Sequence, residues 1–188
     1  MSYERDLIKE INFLRRNPRG FADKIAAAKT YFKGNIWKHP EAKAGIKTEE
    51  GPAAYDEAID FLKRQASPVD ELIPSKGLSK IAADFLGEFQ RDFNAEVEMD
   101  PIIDRHGKFT GNFKRLVEFG ANSPEQVIIN LVVSDGDKSR GHREALLLDN
   151  LKYVGVAHGT HDTYRTCSVI TCATQFENTS DSNDTPNF

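Results

Sequence analysis

The chain has 188 residues, the size of one compact domain. Its formal net charge is −4, from 25 Lys and Arg against 29 Asp and Glu. Three of those negative charges fall in Glu177 to Phe188, which leaves the body at −1. A nearly balanced body lacks the basic stripe that neutralises phosphates, so nucleic acid is excluded as a partner. No apolar run reaches the roughly 18 residues of a membrane helix. With two cysteines there is no disulfide framework.

The elements follow in chain order. Leu7, Ile8, Ile11 and Leu14 form one apolar stripe at helical spacing over residues 3–16. Asn17-Pro18 ends that helix, and Pro18 opens a second through Phe21, Ile25 and Ala28. Residues 33–54 carry Gly, Pro and Lys without periodicity and read as a long excursion, followed by a short helix near 55–64. The strongest helix lies at about 77–93, with Leu78, Ile81, Phe85, Leu86, Phe89 and Phe93 on one face. Residues 94–121, rich in Gly and charge, read as mostly loop.

Ser123-Pro124-Glu125-Gln126 carries a capping box that starts a helix through Val127, Ile128, Leu131 and Val132. A short helix follows at 142–148, then two β-like segments at 153–157 and 166–176. Helices first and strands last predict an α+β fold, with helices packed on a small, mainly antiparallel sheet. Residues 1–176 form one domain in this reading, and 177–188 an acidic, disordered tail. Cys167 and Cys172 stand five apart in one strand, on opposite faces and roughly 17 Å apart. They cannot pair, and both read as small buried hydrophobes.

Among five histidines, His39 reads as a solvated surface residue. His142 opens a helix between Arg140 and Arg143, a setting that lowers a histidine's pKa and suits a metal ligand or base. The competing reading has it satisfying loop carbonyls. Asp135-Gly136-Asp137-Lys138-Ser139 begins like a calcium loop, but Arg140 and Leu146 stand where Gly and Glu are needed. Gly107–Gly111 is no phosphate loop, and Ser139 with His142 lacks a third group to orient it.

Ser139-Arg140-Gly141-His142-Arg143, Leu146 to Asn150 and Tyr153 to Ala157 together resemble the C-terminal signature of the CAP superfamily. That superfamily takes in cysteine-rich secretory, antigen 5 and pathogenesis-related 1 proteins. Glu10-Ile11-Asn12 with Arg16-Asn17-Pro18 resembles its opening helix and turn, and Gly159 to Tyr164 its Gly-x-x-His-x-x-Tyr hairpin with altered Gly spacing. Asp135 to Arg143 is similar to a variant from a branch without cysteine-rich extensions. The resemblance implies a three-layer α-β-α sandwich, with 33–66 as an insertion.

It also implies a central cleft of two histidines and two acids, which in some members hold zinc. His142 matches the second histidine and His106 the first. Arg115 falls where the family has a glutamate. Glu118 substitutes only if the loop shifts, and Asp135 or Asp137 is nearest to the second acid. Two histidines alone hold zinc weakly, and an Arg beside them would repel a dication while favouring carboxylate or phosphate.

The expected function is a non-enzymatic, monomeric binding module for a small anionic ligand, a lipid or a protein partner. The alternative is a zinc-dependent hydrolase with His106 and His142 as ligands. A third reading is an interaction scaffold using the insertion or the tail. The expected location is cytoplasmic if Met1 is native, and extracellular if Met1 replaces a removed signal peptide.

Overall fold

A computed structural model describes residues 2–179. Helix α1 spans Tyr3–Arg16, capped by the Ser2 hydroxyl, which accepts from the Arg5 N–H. Asn17 closes it and caps α2, Pro18–Lys29, where Pro18 occupies the first turn. The excursion then folds back on itself as three two-residue strands, β1 Phe32–Lys33, β2 Ile36–Trp37 and β3 Ile46–Lys47. Helix α3, Pro52–Arg64, packs on α2 and on the helix at 124–133.

The main sheet has the order β4-β6-β7-β5. Its strands are β4 Ile73–Pro74, β5 Gly107–Phe119, β6 Tyr153–His161 and β7 Arg165–Asn178. Only the β4–β6 pairing is parallel, so the sheet is mainly antiparallel as expected. Helix α4, Lys76–Arg91, lies across β6 and β7 with α5, Asp100–His106, beside it. Helix α1, with α6 (Pro124–Val133) and α7 (Gly141–Leu146), covers the opposite face.

Two separate cores follow from this layering. One joins α1, α2, α3, α6 and α7 to Leu116, Val154, Val156, Ile170 and Cys172. The other joins α4 and α5 to Ala157, Cys167, Val169 and Ala173. The chain is therefore a three-layer α-β-α sandwich. Gly155 allows the close approach of α4, because a Cβ there would strike the Leu78 carbonyl carbon and the Ser79 nitrogen.

The segment 94–121 departs from its expected loop. It contains α5 and the 13-residue edge strand β5, which pairs with β7 along its length apart from a bulge between Thr110 and Phe113. Gly111, at φ 83°, supplies the left-handed residue in that irregularity. The capping box is half formed. The Ser123 hydroxyl accepts from the Gln126 N–H, but the Gln126 side chain turns away to Asn130. Glu177 and Asn178, read as the start of a tail, belong to β7 and pair with Lys108 and Gly107. The remainder of that segment, 180–188, lies outside the described residues.

Candidate functional site

The Asp135-to-Arg143 motif holds the excursion onto the domain. The Asp135 carboxylate accepts the N–H groups of Glu49 and Glu50, both at 2.8 Å. Glu50 in turn accepts the Gly136 N–H and a two-pronged bond from the Arg140 guanidinium at 2.7 and 2.9 Å. Those donors hold the Glu50 carboxyl down at about 2. Arg143, 2% exposed, grips Glu57 of α3 through both terminal nitrogens and donates Nε–H to the Val132 carbonyl. Asp137 accepts from the Ser139 backbone and hydroxyl, a local turn. Asp135 and Asp137 thus have structural work here.

His142 opens α7 with Nδ1 at 3.5 Å from the Ser134 hydroxyl, which already donates to the Leu131 carbonyl. Burial lowers its pKa, with Asp137 opposing. His106 stands at the end of α5, with Nε2 at 2.9 Å from Asp84 of α4. The layer of α4 and α5 holds His106 and the layer of α6 and α7 holds His142, so the sheet stands between them. No group of three or more His, Cys, Asp or Glu residues among the described residues could hold a metal ion. The donor set the resemblance implied is therefore not brought together to suit zinc among the described residues.

Arg115 and Glu118 part in the same way. Alternation along β5 turns Leu116 and Glu118 toward α6, and Phe113, Arg115, Val117 and Phe119 toward α4. Glu118, 7% exposed, accepts from the Asn130 side chain at 2.7 Å and the Ala121 N–H at 3.3 Å. Burial outweighs these two donors and pushes its carboxyl up to about 7.

Strand register places Glu118 level with Ser168, and Ser168 level with His158. The His158 Nδ1 lies 2.9 Å from the Ser168 hydroxyl, and the Tyr3 ring stacks on the imidazole at 3.6 Å. Tyr3 Oη lies buried, and burial raises its pKa to about 12 against the opposing pull of the Ser168 hydroxyl. Sequence reasoning missed this row, because its members come from three strands and α1. Ser168 is 1% exposed, so the serine–histidine pair is closed to a substrate.

The α4 face presents the opposite arrangement. The Arg115 guanidinium carbon lies 4.6 Å from the centre of the Phe85 ring and 5.2 Å from that of Phe89. Its Nη1 is buried with no hydrogen-bond partner, and among the described residues the group has no ion pair. Desolvation lowers its pKa, yet a guanidinium stays charged in a protein. Arg115 is thus a half-buried cation on an aromatic floor, with no ion-pair partner among the described residues. The signal in the sequence was the Phe85 and Phe89 spacing on α4, read as core alone.

Cys167 and Cys172 are free, buried and on opposite faces, as their spacing required. Burial raises both thiols to about 12, which removes a nucleophilic role. His39 is half-buried against Tyr31 rather than solvated.

No protein-family model matches the chain, and no curated protein does. Among solved structures, a cysteine-rich secretory protein from Staphylococcus aureus subsp. aureus Mu50 is similar at 18% identity and a TM-score of 0.43. That match covers 65% of this chain and 38% of the staphylococcal chain, well under half its length. An outer surface protein from Borrelia burgdorferi is similar at 14% identity and a TM-score of 0.46, covering 75% of this chain and 98% of the other. Among the described residues no helix is long and apolar enough to cross a membrane.

Proposed function

We propose that the chain is a non-enzymatic, CAP-like binding module for a small carboxylate with an apolar body. The observation that carries this reading is Arg115, a cation with no counter-ion among the described residues, set over Phe85 and Phe89. A guanidinium takes a carboxylate in a two-pronged, charge-assisted bond, and aromatic walls take hydrocarbon. The low dielectric around a half-buried guanidinium strengthens that bond relative to water.

The zinc-hydrolase alternative has less support, since His106 and His142 belong to different layers. The serine–histidine pair offers no better route to hydrolysis, with Ser168 buried and Tyr3 stacked on His158.

The test is calorimetric titration with decanoate. Saturable binding is expected in the wild type, about tenfold weaker binding in Arg115→Gln, and intermediate affinity in Arg115→Lys, which keeps the charge without the fork. Equal affinity in all three proteins, or no binding in any, would refute the reading.

A further inference from the structure

The inference that follows rests on the Arg115 reading and adds a second anchor to the same site. His161 is 6% exposed, and its Nδ1 accepts the backbone N–H groups of Thr163 and Tyr164, both at 3.1 Å. Those two donors require a lone pair on Nδ1, so the ring proton of the neutral imidazole sits on Nε2. Nε2 is buried and has no hydrogen-bond partner. Leaving a buried donor unmet is costly, and here the hairpin fixes the donor in place.

The same aromatic layer joins this donor to Arg115. Phe89 lies against Arg115 at one end and 6.3 Å from the Phe119 ring at the other. The Phe119 ring is 5.2 Å from His161. Phe93 and Tyr164 meet edge-to-face at 5.3 Å over the His161 end, and are 42% and 39% exposed. Arg115 and Phe119 share one face of β5 and stand about 13 Å apart along it. One end of the layer thus carries a cation without an anion, and the other a neutral N–H without an acceptor.

We infer that His161 is a specificity-determining donor, and that the ligand is an extended carboxylate with an uncharged oxygen acceptor at its far end. The acid end is set by charge, since Arg115 alone is cationic. The distal end is set by the neutral imidazole, which favours a carbonyl or ester oxygen over a second carboxylate, because the imidazole itself brings no charge to offset the cost of burying that anion. Phe93 and Tyr164 form the exposed lip through which the distal end enters.

Decanoate and the monomethyl ester of the ten-carbon dicarboxylate serve as matched probes. The ester should bind the wild type at least fivefold more tightly than decanoate. In His161→Phe, which keeps the aromatic volume, the two should bind alike. Both should weaken together in Arg115→Gln. The imidazole N–H resonance of wild-type His161 should move on adding the ester and stay put with decanoate, a readout independent of how the variant folds.

Equal affinity of the two probes for the wild type, with binding still dependent on Arg115, would overturn the His161 assignment alone. An ester advantage that survives in His161→Phe would do the same, and would leave the Nε2–H directed at the Phe119 ring. Failure of either probe to bind would remove the Arg115 reading and this inference with it.

Discussion

Arg115 and Glu118 stand three residues apart on β5, and the sheet separates them completely. Among the described residues the guanidinium lies over Phe85 and Phe89 without an ion-pair partner, and the carboxyl lies under α6 likewise without one. Had both faced one side they would have formed an ion pair, and neither would show its present character. Odd spacing on a strand prevents this. One face acquires an uncompensated positive charge, and the other a carboxyl that is half neutral near pH 7.

The first prediction concerns that carboxyl. Its folded pKa of about 7 lies above the ordinary 4.5, so its contribution is intact at low pH and lost as pH rises through about 7. Burying the ionised form should cost about 3 kcal/mol above pH 8. Glu118→Gln should therefore be more stable than wild type by about 2 kcal/mol at pH 9, after losing the Ala121 acceptor. At pH 4 that lost bond should leave it about 1 kcal/mol less stable. Urea unfolding at the two pH values checks the crossover; parallel shifts at both would contradict it.

Arg15 supports a second prediction. This fully buried guanidinium donates to the carbonyls of Asp70, Leu146, Leu148 and Leu151, tying α1 to the end of α7, the turn after it and the segment that leads into β4. Arg15→Lys cannot span these directions and should cost about 3 kcal/mol. A loss below 1 kcal/mol in chemical denaturation would show that the fork is dispensable.

Asp135 anchors the excursion rather than a cleft, which gives a third. Asp135→Ala frees the Glu49 and Glu50 N–H groups, so their hydrogen exchange should accelerate about tenfold, and trypsin should cut faster after Lys47. Exchange in β6 and β7 should stay unchanged. Acceleration spread over the whole chain would point to global destabilisation instead.

The cysteines give the fourth. With both thiols buried and raised to about 12, a thiol reagent at pH 8 should label neither in the native protein, and both in denaturant. Rapid native labelling of either would contradict the structure.

Much of the fold was legible because periodicity and caps agreed. Leu7, Ile11 and Leu14 defined α1, Asn17-Pro18 set its end, and Ser123-Pro124 the start of α6. The odd spacing of Cys167 and Cys172 correctly divided them between two cores. Strand β5 was hidden because both its faces are covered in part, so polar and apolar residues do not alternate. Gly111 and the bulge broke what pattern remained.

The candidate site was harder to read for a related reason. Arg115 was recognised as out of place, but its partners Phe85 and Phe89 come from another layer. His161 stood out in the sequence only as the histidine of the Gly159–Tyr164 hairpin; its unmet donor emerged when the hairpin fixed its tautomer. His106 and His142 were joined by analogy, and layer order, which spacing does not encode, sets them apart.

On the proposed function, Arg115 awaits a carboxylate. The most direct measurement is the nitrogen-15 spectrum of the arginine side chains during titration with decanoate. The Arg115 guanidinium resonance should shift saturably while the buried Arg15 and Arg143 signals hold still. No movement of Arg115 up to the solubility limit, or equal small drifts in every arginine, would contradict the account.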